Sequence, residues 1–402
     1  MESPVSSSIE SKIRRIKGKM LKNFDPYSFV CPSAYDTAWL AVIPDPHEPS
    51  KPMFKICLDW MLKNQHGEGF WGECDAFGKP TIVSLPATLA SMIALKKWNT
   101  GPLMVEKGLA FIHANAEKLL EEVNDHCPRW LAIILPAMVE LAEKADLEVC
   151  FPETVKETVS YMFDCQENIV HKEELVGKHR FPPLLSYLEA LPQSYAVNEE
   201  DIFGNLSGDG SLFQSPSATA KAFMATGKQE YLVYLQSLVQ KCPNGVPERY
   251  PMDEDVIKLC MITQLHRLGL AEHFISEIEE ILAQVYREYM EQKSWVKPSN
   301  MIATQLHKDS LAFQLLRMHG YKVSPLSLCW FLHDEEVLAQ IENNSEYFTS
   351  AMIEVHGASN LMFCGEYELE EVRYFSRKLL EKTVSTTRGD QSPINHPNLE
   401  KG

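Results

Sequence analysis

No two aspartates are adjacent in this 402-residue chain, none of its ten cysteines are spaced Cys-x-x-Cys, and no apolar run is long enough to span a bilayer. The cysteine spacing excludes a zinc ribbon and a dithiol redox motif, so the ten thiols read as buried and reduced, the pattern of an intracellular protein. The longest apolar run, Trp130 to Val139, contains Pro136 and falls far short of the roughly 20 residues a spanning helix needs. No membrane span is expected. Positive charge is scarce as well: 38 Lys and Arg against 55 Asp and Glu leave a formal charge of -17. Such a surface repels nucleic acid and anionic lipid and offers a polyanionic substrate no long-range attraction. Nucleic acid is excluded as a partner, and an anion has to be captured by a local site or a metal.

Convincing period-2 strands are missing too. What is present is 45% hydrophobic residues and 23% charged ones, ample material for a core. Apolar residues recur at helical spacing: Phe274, Ile278, Ile281, Leu282, Val285 and Tyr289 form one stripe, and Leu369, Val372, Phe375 and Leu379 another. Helix after helix with brief connections predicts an all-α architecture of stacked helix pairs. At the N-terminus, Ile9, Ile13, Ile16 and Met20 lie on one face of a basic, Ser-containing amphipathic start without a secretory apolar core. A cytoplasmic location is expected, with a plastid transit peptide as the alternative.

Two segments resemble one another: "NQHGEGFWGE" (Asn64 to Glu73) and "LSGDGSLFQS" (Leu206 to Ser215). In each, glycines permit a tight turn beneath which an aromatic, Trp71 or Phe213, is expected to pack. Pro-rich breaks at Ile43 to Pro52 and Asn244 to Asp253 mark candidate domain crossings. From Ser385 the sequence has little apolar content and reads as disordered.

Three long stretches, "SAYDTAWLAVIPDP" from Ser33, "CLDWMLKNQHGEGFWGECDAF" from Cys57 and "GVPERYPMDEDVIKLCMITQLHRLGL" from Gly245, together with "LAFQLLRMHGYKVSP" from Leu311, resemble the βγ region of plant diterpene synthases. The segment Gly72 to Asn99 is most similar to the geranyllinalool synthase branch. The resemblance implies two α/α-barrel-like terpenoid-cyclase domains. Residues 1–50 would supply the N-terminal helix of a discontinuous β domain, 51–250 an inserted γ domain, 251–384 the remainder of the β domain, and 385–402 the tail. It also implies a further C-terminal α domain that this sequence does not reach, and a β domain short of its closing helices. The faces bearing Leu369, Val372 and Leu379 are then expected to be partly uncovered.

The resemblance sets what catalysis would require. A class I terpene synthase binds Mg²⁺ through an Asp-Asp-x-x-Asp helix and an Asn/Asp–Ser/Thr–Glu helix, because clustered cations neutralise the leaving diphosphate. Neither motif occurs, and in "NNSEYFTSAMIE" Tyr347 stands where the hydroxyl should be. A class II cyclase protonates an alkene from a carboxylic acid held neutral. The positions matching that acid motif are Gln305, His307 and Lys308, none a carboxylate, with Asp309 one residue late. The positions matching the family's base are Ser186 and Glu248, also departures. This pattern implies a chain with no intact catalytic residue, from a lineage that in full length converts geranylgeranyl diphosphate, with Mg²⁺, to an acyclic diterpene alcohol. A non-catalytic βγ scaffold is the alternative, and a class II cyclase with an unrecognised acid a third.

Other polar residues have structural readings. Asp253, Glu254 and Asp255 in "YPMDEDV" fit a helix start, where acids complement the dipole. "HDEEV" (His333 to Val337) likewise fits a cap. Tyr35, Asp36 and Trp39 are expected to fix their helix, with Asp36 hydrogen-bonded. Glu73 and Asp75 fit either a turn or a Mg²⁺ site, and His307 with His319 lacks the spacing of a helical zinc pair.

Overall fold

The computed structural model describes residues 4–18, 25–124, 127–175, 180–192, 195, 197–291 and 301–388. Among them are α-helices, short 3₁₀ turns and isolated bridges, with no β-strand. The fold is all-α. In chain order the helices are α1 (Pro4–Lys17), α2 (Ala34–Val42), α3 (Lys55–Lys63), α4 (Ser84–Lys97), α5 (Pro102–Leu120), α6 (Arg129–Lys144), α7 (Glu153–Lys172), α8 (Glu199–Gly204) and α9 (Pro216–Thr226). They continue with α10 (Gln229–Lys241), α11 (Glu254–Arg267), α12 (Ile275–Glu291), α13 (Ile302–Met318), α14 (Leu326–Cys329), α15 (Glu335–Asn343), α16 (Ser345–Ser359) and α17 (Tyr367–Arg388). Among the described residues no helix is long and apolar enough to cross a membrane. Packing divides the chain into two units, Met1–Ile257 and Lys258–Gly402.

In the first unit α2 packs against α3, α4 and α9, and its residues from Ala34 to Ala41 are all buried. Ser33 starts the helix: its Oγ accepts from Asp36 N at 3.2 Å and donates to Asp36 Oδ2 at 2.6 Å. Ser33 N donates to Val246 O (2.8 Å), and Val246 N donates to Thr37 Oγ1 (3.1 Å). The start of α2 is thereby tied to the end of the 51–250 stretch. The helices that α2 packs against lie within residues 51–250. A helix apolar on every side needs covering on every side, and this unit supplies the cover. The apolar run from Trp130 lies in α6, a core helix that packs against α4 and α7 with Pro136 inside it.

The two glycine-punctuated segments share one hydrogen-bond register. Gly69 N donates to His66 O and His66 N to Phe70 O; in the second, Gly210 N donates to Ser207 O and Ser207 N to Ser211 O. Trp71 N then donates to Thr88 Oγ1 of α4 (3.1 Å), and Leu212 N to Thr219 Oγ1 of α9 (2.9 Å). The counterpart of Trp71 is therefore Leu212 and not Phe213. Trp71 and Leu212 are both buried, while Phe213 is half-buried at φ +53°. Glycine is required at both turns because φ is +99° and +84°, and a Cβ would stand 2.5 Å from Lys107 O or 2.8 Å from Glu230 O.

In the second unit α13 packs against α12, α14 and α16, and α17 packs against α14 and α16. α12 buries Ile278, Ile281, Leu282, Val285 and Tyr289, with Phe274 buried in the 3₁₀ turn before it. Leu369, Val372 and Leu379 are buried as well, which overturns the expectation that their faces lie uncovered. α14 and α16 pack against the helix that carries them. That helix runs to Arg388, past the domain end expected at 384. The rest of the expected disordered tail, residues 389–402, lies outside the described residues, as does Met20.

Arg317 binds the loops of this unit together. Its Nη1 donates to Leu361 O (2.8 Å) and Glu366 Oε2 (2.6 Å), and its Nη2 to Val323 O (2.9 Å) and Glu366 Oε1 (2.6 Å). The guanidinium lies 4.3 Å from the Phe313 ring centroid and 4.9 Å from that of Phe363. Its hydrogen bonds hold the Glu366 carboxyl below the usual carboxylate range. No disulfide joins the ten cysteines, but Cys31, Cys74, Cys150 and Cys364 are exposed, so the reading of every thiol as buried does not hold.

Candidate functional site

The positions that match a class II acid lie on α13. Most of this helix is buried, so polar residues along it fall inside the unit. Gln305 and Asp309 are one turn apart, and Gln305 Nε2 donates to Asp309 Oδ1 at 2.8 Å. Trp330 Nε1 donates to Asp309 Oδ2, also at 2.8 Å. Both oxygens of Asp309 thus act as acceptors, and the side chain holds Gln305 and Trp330 in place. Lys308 is only 1% exposed. His307 is half-buried with Nε2 3.7 Å from Cys260 Sγ, and burial pulls its imidazole below the ordinary value. The three matching positions therefore present an amide, an imidazole and a buried lysine, and none of them is a carboxylic acid of the kind that alkene protonation demands.

The positions matching the family's base lie in the first unit. Ser186 sits in the 3₁₀ segment Leu184–Ala190, where its hydroxyl donates to Pro183 O at 2.6 Å. Glu248 is exposed, in the segment ahead of α11. Close to these is a cluster that sequence reasoning did not assemble. Tyr35 Oη donates to Glu189 Oε1 at 3.0 Å, while Asp36 accepts from Ser33 Oγ and, through Oδ1, from Ser217 N of α9 at 3.1 Å. Asp36 is hydrogen-bonded, as the sequence suggested. Burial pushes its carboxyl up to about 7, with the charge of Glu248 adding to the shift, and pushes that of Glu189 up to about 8. Glu189 carried no motif signal, because its partner Tyr35 lies 154 positions away.

The remaining candidates take structural roles. Asp253 Oδ1 accepts from Asp255 N and Val256 N at the start of α11, and Asp334 Oδ1 from Glu336 N and Val337 N at the start of α15. Asp75 Oδ1 is taken up by the amides of Phe77 and Lys79 in an exposed turn that also carries Glu73. His319 pairs with His266, Nε2 to Nε2 at 3.1 Å, and not with His307. Among the described residues no group of three or more His, Cys, Asp or Glu is placed to hold a metal ion. They do not compose a Mg²⁺ site, and no chemical step is assigned through one.

Two all-α units with paired glycine turns define a terpenoid-cyclase type of architecture, and comparison with known proteins agrees. Residues 199–400 match the family model "Terpene synthase, N-terminal domain". The chain is 45% identical over 404 residues to (E,E)-geranyllinalool synthase of Arabidopsis thaliana, covering 94% of this chain and 46% of that protein. It is 42% identical to S-linalool synthase of Clarkia breweri, covering 98% and 48%. Among solved structures it matches abietadiene synthase from Abies grandis with a TM-score of 0.73 at 29% identity, over 95% of this chain and 49% of that one. It also matches ent-copalyl diphosphate synthase from Arabidopsis thaliana, in complex with (S)-15-aza-14,15-dihydrogeranylgeranyl thiolodiphosphate, with a TM-score of 0.68 at 28% identity, over 93% and 53%. This chain belongs to the terpene synthase family. It spans about half the length of the curated relatives it matches.

Proposed function

We propose that this chain is a βγ portion of the geranyllinalool synthase branch and that by itself it turns over no prenyl diphosphate. In this reading a full-length protein of the branch converts geranylgeranyl diphosphate to the acyclic alcohol geranyllinalool with Mg²⁺. The observation that carries the reading is α13, where Gln305, His307 and Lys308 replace the acid and Asp309 is committed to Gln305 and Trp330. Ser186, bonded to Pro183 O, and the exposed Glu248 are likewise degenerate base positions. Similarity to a geranyllinalool synthase along 94% of the chain supports the branch. The division after Ile257 supports a γ-type first unit and a β-type second one. Incubation of the purified chain with Mg²⁺ and geranylgeranyl diphosphate should yield neither hydrocarbon nor alcohol above background by gas chromatography. Geranyllinalool from this chain alone would sink the proposal.

Burial of Gln305, Lys308 and Ser186 in packed interiors also supports a second reading, a non-catalytic scaffold that binds a prenyl diphosphate or a protein partner. Calorimetric binding of geranylgeranyl diphosphate without turnover would favour it. A cytoplasmic location is part of this proposal, with a plastid one as the alternative. Several relatives are named chloroplastic, so import into isolated plastids would move it there.

A further inference from the structure

We propose that Glu189 is held as a neutral carboxylic acid in the core of the first unit, and that with Tyr35 and Asp36 it forms a proton-dependent latch. The latch ties α2 to the 3₁₀ segment Leu184–Ala190 and to α9. Its two carboxyls are provided for very differently. Asp36 is 3% exposed and accepts at both oxygens, from Ser33 Oγ and from Ser217 N. Ser33 and Ser215 cap the helices that begin there, so the positive ends of α2 and α9 both lie beside Asp36. Glu189 is 4% exposed, accepts from Tyr35 Oη on Oε1 with Ser217 and its own backbone amide also favouring the anion, and leaves the buried Oε2 without a hydrogen-bond partner. An ionised carboxylate buried with one oxygen bare is far costlier than a neutral acid there. Glu189 therefore keeps its proton, and Asp36 is the member equipped to carry charge.

Among the described residues no cation makes an ion pair or hydrogen bond to either carboxyl. The groups that face it are Tyr35 from α2, Ser217 from α9, Tyr234 from α10 and Glu248 from the segment ahead of α11. α6, which packs on the 3₁₀ segment, offers Arg129, but that guanidinium is committed to Glu173 and Pro182 O and lies over Tyr187. The shifts agree in order: burial sets Asp36 at about 7 and Glu189 at about 8, the charge of Asp36 adding to the latter.

Both carboxyls titrate higher folded than unfolded, where they ionise near 4. Their contribution to stability is thus complete below about pH 4 and is lost as pH rises through about 7 and then about 8. The latch is strongest in acid medium and weakens as pH rises to about 8, where a second buried negative charge forms beside Asp36.

The test is carried out on the full chain. Urea unfolding between pH 5.5 and pH 9 should show the wild-type midpoint falling with pH and levelling off above about pH 8, a fall that is shallower in Glu189→Gln, so the two curves converge or cross at high pH. Tyr35→Phe removes one of the donors that favour the anion and should move the levelling-off to higher pH. Infrared spectra of wild type labelled with ¹³C-glutamate should contain a protonated-carboxyl band at pH 7 that disappears as pH rises through about 8, a readout that survives if a variant fails to fold. Parallel wild-type and Glu189→Gln curves, or a labelled spectrum containing only carboxylate at pH 7, would overturn the latch.

Discussion

At the level of single residues, α13 carries the proposed acid positions as polar side chains set in a helix that is mostly buried. Three of the four side chains from Gln305 to Lys308 are polar, and two of these, Gln305 and Lys308, are buried. Asp309 is the only carboxylate in the stretch, and its oxygens serve Gln305 and Trp330. Restoring aspartate at Gln305, His307 and Lys308 together would crowd new carboxyls against Asp309 and remove the amide that Asp309 accepts from. Ser186 and Glu248 would still lack the family's base chemistry, and parts of one site act far from additively. The triple variant should therefore form little or no copalyl diphosphate from geranylgeranyl diphosphate. Robust product by mass spectrometry would show that the acid alone was missing.

Among the elements, the paired turns carry the sharpest constraint. Each brings a backbone glycine against the carbonyl of a neighbouring helix and then passes an amide to a threonine hydroxyl. Gly78 offers an internal contrast, since its φ is also positive, +75°, but nothing lies within 4 Å of its absent Cβ. Gly78→Ala should cost only the left-handed backbone penalty, about 1–2 kcal/mol. Gly210→Ala adds a collision with Glu230 O and should cost at least about 1 kcal/mol more by the scale of overpacking losses. Equal urea midpoints for the two variants would show that the turn yields without strain. The repeat was legible in the glycines, whereas the alignment of its aromatic was not. Trp71 and Phe213 look alike in sequence, and the hydrogen bond from Leu212 to Thr219 is what fixes the register.

For the whole molecule, the two packing units predict that damage stays local. Arg317→Ala breaks a guanidinium–carboxylate pair whose arginine side chain is 4% exposed, and losing one member of such a pair costs about 3–5 kcal/mol. Arg317→Lys should recover little, because one ammonium cannot serve the four acceptors that the planar fork reaches. Hydrogen exchange should accelerate in α13, α16 and α17 of Arg317→Ala while α2, α4 and α9 keep wild-type protection. Equal acceleration in both sets would mean that the chain unfolds as one cooperative body.

The amino-acid sequence alone determined the helical class, because apolar spacing such as that of Ile278, Ile281, Leu282 and Val285 is a local property of the chain. It determined the family as well, because that rests on residue identity along the chain and not on packing. Caps at Asp253 and Asp334 were legible for the same local reason. Tertiary structure alone decided where α2 belongs, since a helix apolar on all sides does not specify which neighbours enclose it. It alone covered Leu369, Val372 and Leu379, and it alone joined Tyr35 to Glu189 across 154 residues. Burial and hydrogen-bond supply arise from the packing of distant segments, and those quantities set whether a carboxyl such as Glu189 keeps its proton.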